Sequence, residues 1–240
     1  MFWKFLKPSF LINLTEKGLH IFFFILIQLF ILILLLCFYN IIGDIQQKEN
    51  FKIFYVHVPC AWLAVGVYCI MVCFSLGFII TSIKFYEIFA YICAKIGFLF
   101  SFLTLVTGCL WGYCTWGTFW AWDTRLTSSL ILCIFYLLIL ILKTFFYTNF
   151  KNSYLVSFLV LIGSINIPIL KFSVDWWNTL HQKQTINSFE MLIETSVLIP
   201  LLLLLFFYLL YIVIFFFIEF RSTLLHNKLQ IYEKFINDNN

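Results

Sequence analysis

Apolar residues run along this chain in long unbroken stretches, and polar residues gather between them. Six stretches reach or approach the roughly 20 residues a helix needs to cross a hydrocarbon core about 30 Å thick. They are centred on Ile21–Ile41, Val58–Ile80, Ile88–Leu110, Leu126–Phe146, Tyr154–Leu170 and Ser196–Ile218. The fifth is short and is interrupted by Asn166 and Pro168. The runs are continuously apolar, whereas strands of a membrane barrel would alternate with period 2. The pattern predicts an all-α polytopic membrane protein, a six-transmembrane helix bundle forming one membrane domain over residues 1–240, with no soluble domain.

Composition agrees. Hydrophobic residues make up 63% of the 240, charged residues 11%, and mean hydropathy is +1.02. A soluble domain carries roughly a quarter charged residues, so most of this surface must face membrane lipid. The net charge of +4 gives no reason to invoke nucleic acid. With the N-terminus inside, the inner segments hold nine basic residues (Lys4, Lys7, Lys17, Lys84, Lys143, Lys151, Arg221, Lys228, Lys234) and the outer segments five (Lys48, Lys52, Arg125, Lys171, Lys183). That asymmetry favours both termini inside. The inner connections, Thr81–Glu87 and Tyr147–Ser153, are then short, and the outer ones, Gly43–His57, Trp111–Arg125 and Phe172–Thr195, are longer. Long connections with unusual composition are where function concentrates. No cleavable signal is expected, because Lys4 and Lys7 precede Pro8 and the first apolar run is long enough to span. The eight cysteines form no CxxC pair and mostly lie in apolar runs, where a free thiol acts as a small hydrophobe. Thirty-two Phe beside five Ala point to an AT-rich coding sequence, as in an organelle genome or an AT-rich bacterium.

The Trp111–Arg125 connection holds four of the chain's eight tryptophans, Trp111, Trp116, Trp120 and Trp122. An interfacial aromatic belt would scatter indoles over every helix end; here they cluster beside Gly112, Gly117, Asp123 and Arg125. If Trp116–Asp123 is helical, Trp116 and Trp120 share a face with Asp123 one turn on. Such a surface suits a large flat ligand with an acidic edge, indoles packing on the plane and Arg125 pairing with a carboxylate.

His57 opens the second span in His57-Val58-Pro59, with Pro59 tolerable in a first helical turn. His181 follows Val174-Asp175-Trp176-Trp177-Asn178-Thr179-Leu180, and if that segment is helical Trp177 and His181 lie at i, i+4. In the predicted topology His57, the Trp loop and His181 face one compartment. Neutral imidazoles are common iron ligands, and two can fill both axial positions of a haem. His20 and His226 fall at inner helix ends without aromatic company and read as structural.

The stretch Trp116-Gly117-Thr118-Phe119-Trp120-Ala121-Trp122-Asp123-Thr124-Arg125-Leu126-Thr127-Ser128 resembles the tryptophan-rich WWD signature of haem-handling proteins in cytochrome c assembly. With the Val174–Gln182 stretch, the His57-Val58-Pro59 segment and six spans in 240 residues, the whole chain resembles the haem exporter protein C family of the cytochrome c maturation system. Phe119 departs from that pattern, where the family often has Trp, but keeps an aromatic plane.

The resemblance implies that His57 and His181 ligate haem iron, and that Trp116, Trp120, Trp122, Asp123 and Arg125 belong to the haem platform. It implies transient binding of haem b and its delivery to a haem chaperone, protein E. Its implied membrane partners are haem exporter protein D, which is small and single-span, and the ABC-type transporter pair, proteins A and B. The location it implies is the mitochondrial inner membrane with the site facing the intermembrane space, or a bacterial inner membrane with the site facing the periplasm. A b-type electron-transfer cytochrome would place paired histidines within its spans, and no predicted span carries one near its middle. A permease would place ionisable groups mid-span, and Lys95 lies near an inner end within snorkelling reach. The haem lyase of the same maturation system shares the Trp loop but is longer. No catalytic nucleophile or acid–base pair stands out, so an enzyme is not expected.

Overall fold

The computed structural model describes residues 25, 27–31, 52–145, 150–177, 186–187, 190–191 and 195–239. Six labelled helices account for nearly all of them: α1 (Lys52–Thr81), α2 (Lys84–Trp116), α3 (Thr124–Phe145), α4 (Phe150–Ser164), α5 (Asn166–Trp176) and α6 (Thr195–Asn239). Among the described residues, the exception to an all-α reading is a two-residue antiparallel ladder, β1 (Ile186–Asn187) with β2 (Glu190–Met191), pairing Ile186 with Met191 and Asn187 with Glu190. Among the described residues, five helical segments are long and apolar enough to cross a membrane: Lys52–Thr81, Lys84–Trp116, Thr124–Phe145, Ser153–Trp176 and Val197–His226. The first expected span, Ile21–Ile41, lies mostly outside the described residues, although residues 25 and 27–31 are helical. Large apolar side chains such as Ile70, Phe102, Ile134 and Phe158 stand exposed on the helices, as lipid-facing groups do.

Residues 52–206 belong to one compact unit, and residues 25–31 with 207–239 to another. In the second, Phe30 packs against Phe207 at 5.7 Å between ring centroids. In the first, α1 packs on α2 and α4, and α3 packs on α2, α4 and α5. Tyr68 and Tyr136 fill the centre of this unit, both fully buried and in edge contact at 5.0 Å. Each ties its helix to another through a main-chain carbonyl: Tyr136 donates to Ala64 O at 2.7 Å and Tyr68 to Val160 O at 3.2 Å. Glycine makes room for both, since a Cβ at Gly97 would overlap the Tyr136 ring and one at Gly163 the Tyr68 hydroxyl.

Several boundaries differ from the sequence expectation. The connection expected over Thr81–Glu87 shrinks to Ser82 and Ile83. Glu87 is therefore a helical residue, buried against Lys143, and its carboxylate also accepts from the Ser153 hydroxyl. Lys143 thus pairs with an internal carboxylate. The interrupted span is two helices broken at Ile165, whose N–H reaches back only three residues to Ile162 O at 3.2 Å. Pro168 explains the break, because it has no N–H to give to Ser164 O. Asn166 is satisfied in its buried position by donating to Ser128 O on α3 at 2.8 Å.

Candidate functional site

The Trp-rich connection is only half a loop. α2 runs through Trp111–Trp116 and stops at Gly117, whose φ of 74° and N–H bond to Tyr113 O at 3.1 Å close a left-handed cap. Only glycine takes that conformation without a steric cost. Residues 117–123 are then non-helical, which overturns the conditional helix over Trp116–Asp123 and the shared face of Trp116 and Trp120. Asp123 ends the loop by capping α3: its Oδ1 accepts from Leu126 N–H at 2.7 Å, while Thr127 N–H bonds its carbonyl at 3.0 Å. Capping satisfies amides that the first turn of a helix leaves unpaired.

The indoles therefore take different environments. Trp116 folds back over Gly112, where an added Cβ would meet its Cε3 at 3.2 Å. Phe119 stacks on Tyr113 at 4.3 Å and 10°. Trp120 meets Trp122 edge-on at 5.6 Å, but Trp122 is 80% exposed, whereas the Trp120 Nε1 atom is buried with no hydrogen bond among the described residues.

A cavity of about 650 Å³, open space included, lies between α1, α2 and α3, with Trp120 from the loop and Leu170 from α5 completing its wall. His57, Trp120 and Arg125 all line it, so three of the residues singled out in the sequence converge there. Much of the rest is apolar, including Ala61, Ala64, Val65, Leu105, Leu126 and Leu132. The wall hydroxyls are engaged by their own helices: Ser101 donates to Phe98 O at 3.1 Å, Thr104 to Phe100 O at 2.8 Å and Ser129 to Arg125 O at 2.9 Å. Trp120 and Arg125 also line the cavity, and the buried Trp120 indole N–H has no hydrogen-bond partner among the described residues. Asp123 and Asp175 act electrostatically on Arg125. Asp175 stands on α5, the helix that also contributes Leu170 to the cavity wall.

His57 stands in the second turn of α1. Its Nδ1 is 3.0 Å from Thr107 Oγ1, and its ring meets Trp111 edge-on at 5.7 Å. Gly108 lets the imidazole lie close to α2, since a Cβ there would come within 3.1 Å of His57 Cε1. Sequence reasoning did not single out Thr107 or Gly108, and it named Trp111 and Asp175 only as members of their motifs. The available signal was the Thr-Gly pair one turn before Trp111. The helix carrying Asp175 stops at Trp176, and Trp177 is extended at φ −133°, ψ 153°. The conditional helix that would set Trp177 and His181 at i, i+4 is therefore not formed at Trp177. His181 and Asn178 lie outside the described residues.

A buried indole donor, a guanidinium and an imidazole around an apolar cavity fit a flat, largely apolar ligand with an anionic edge and a metal centre. The family model described as Heme exporter protein C matches residues 1–234. A ccmC-like mitochondrial protein of cytochrome c biosynthesis from Marchantia polymorpha is 48% identical over 159 residues, 66% of this chain and 67% of that protein. A protein of the same description from Arabidopsis thaliana is 40% identical over 201 residues, 82% of this chain and 75% of its own length. Heme exporter protein C of Bradyrhizobium diazoefficiens is 44% identical over 160 residues, covering 66% of this chain but only 61% of that protein. The chain belongs to the haem exporter protein C family.

Proposed function

We propose that this protein holds haem b at the Trp-loop end of its bundle and hands it to a soluble haem chaperone for attachment to c-type cytochromes. Family membership places it among multi-pass membrane proteins that handle haem in cytochrome c maturation. The observation that carries the finer reading is the cavity that gathers His57, Trp120 and Arg125. Haem is the cargo here. The His57 imidazole supplies one axial nitrogen and His181 the other, an arrangement giving a low-spin iron. Arg125 and the Trp120 N–H face the propionates, where charge-assisted hydrogen bonds are strongest. Trp122, at 80% exposure, offers an indole outside the cavity to an approaching partner.

In this reading the protein binds and delivers and is not an enzyme; any covalent step uses a residue of the chaperone, protein E. Haem exporter protein D and the ABC-type transporter pair, proteins A and B, are its membrane partners. It sits in the mitochondrial inner membrane with the site toward the intermembrane space, the periplasmic face being the bacterial counterpart. Haem-loaded protein mixed with purified chaperone should lose its haem absorption as the chaperone gains it. A His57→Ala, His181→Ala double variant should insert normally but lack the bis-imidazole spectrum. Haem that stays put beside a competent chaperone would identify a resident cytochrome, and a wild-type spectrum from the double variant would refute the ligand assignment.

A further inference from the structure

We propose that Thr107 is a positioning residue that fixes the tautomer of His57, so that Nε2 is the nitrogen presented to a metal. The inference rests on the proposed haem site, and it begins with one proton. Thr107 Oγ1 lies 2.6 Å from Leu103 O and 3.3 Å from Thr104 O, both main-chain carbonyls of its own helix. A carbonyl cannot donate, so two oxygens as close as Thr107 Oγ1 and Leu103 O need the hydroxyl proton between them, which assigns it to Leu103 O. The 2.6 Å separation is typical of an O–H···O bond, and the 3.0 Å separation from His57 Nδ1 is typical of N–H···O. With its only proton committed, Thr107 has lone pairs alone to offer His57, which must supply the hydrogen from Nδ1. A neutral imidazole carries one N–H, so protonation at Nδ1 leaves the coordinating lone pair on Nε2.

Two further features hold the ring in that pose. Gly108, the residue after Thr107, leaves the space against which His57 Cε1 packs, and the Trp111 indole closes the ring edge at 5.7 Å. Thr107, Gly108 and Trp111 fall within little more than one turn of α2, so a single helix face sets the position, rotation and proton of the ligand. A hydrogen bond to the distal nitrogen of a metal-bound imidazole also raises its basicity, and loss of such a partner typically lowers metal affinity by about 10- to 100-fold.

The test begins with haem-free protein in detergent, labelled with ¹⁵N at histidine and assigned to His57 by difference from His57→Ala. The wild-type spectrum should show a protonated Nδ1 and an unprotonated Nε2. Thr107→Val keeps the side-chain shape but removes the oxygen, and should shift His57 toward the Nε2–H tautomer; Thr107→Ser should restore the wild-type pattern. In the haem-loaded state, Thr107→Val should weaken haem retention by about tenfold and alter the iron midpoint potential, with Thr107→Ser recovering both. A wild-type His57 protonated at Nε2, or a tautomer indifferent to Thr107→Val, would overturn the assignment irrespective of haem. If the tautomer responds as expected but His57→Ala retains haem unchanged, the ligand reading fails instead. The two failures are thus distinguishable.

Discussion

The ion pair between Glu87 and Lys143 invites a perturbation whose size follows from its burial. The side chains are 8% and 11% exposed, and the Ser153 hydroxyl donates to the same carboxylate. Three helices, α2, α3 and α4, are therefore joined at one point away from water. Removing one partner from a buried pair leaves an uncompensated charge and typically costs about 3–5 kcal/mol, whereas replacing both is often nearly neutral. Lys143→Met should accordingly lower the folded-to-unfolded ratio by about 150-fold or more, and Glu87→Gln should also destabilise by stranding the ammonium. The double variant should be more stable than Lys143→Met alone, since the new amide at position 87 is neutral and still accepts from Ser153. Equilibrium unfolding in mixed detergent micelles, followed by circular dichroism, measures all three. Glu87 and Gly108 are separated by about 30 Å along α2 at 1.5 Å per residue, so the double variant should keep its haem spectrum. A Lys143→Met cost below about 1 kcal/mol, the behaviour of an exposed pair, would refute the reasoning. So would strictly additive effects in the double variant.

Asp123→Ala should destabilise the start of α3 by about 1 kcal/mol, read as faster hydrogen exchange at the Leu126 amide, while Asp123→Asn, which can still cap, should change it little. Asn166→Ala removes the bond to Ser128 O that pins α5 to α3, and Asp175→Asn removes the carboxylate acting on Arg125. Both should weaken haem retention, and because the first acts through the second their effects should be less than additive in a double-variant cycle.

Most of the described spans and the Trp loop were legible because each has a strong local signal. Uninterrupted apolar runs leave few alternatives to membrane helices, and indole clustering with Asp123 and Arg125 is rare enough to mark a site. Gly117 also carried a readable stop signal, yet the conditional helix through it would have missed the left-handed cap. The Glu87–Lys143 pair was hidden because the residues are 56 apart and each reads singly as a charge near a helix end. Asn166 looked like a defect in a weak span, since nothing local announces that its amide bonds the carbonyl of another helix. Thr107 and Gly108 were missed for the same reason: their role exists only once α1 lays His57 against them.

The placement of the site follows from how helix ends are built. A helix interior satisfies its own backbone and presents side chains at fixed spacing, while an end leaves amides and carbonyls that other groups can use. At about 50 Å, the 33 residues of α2 exceed the roughly 30 Å hydrocarbon thickness, so one end extends beyond that core. At the Trp-loop end, such devices hold the residues gathered around the cavity. Arg125 follows closely on the Asp123 cap of α3. Trp120 lies in the loop held between the Gly117 cap and Asp123. His57 stands near the start of α1, where the Thr107 face of α2 receives it. Asp175 stands near the end of α5, which follows the break at Ile165 and is tied to α3 by the Asn166–Ser128 bond. Rigid spans therefore fix the separations, and the helix ends supply the polar groups around the cavity.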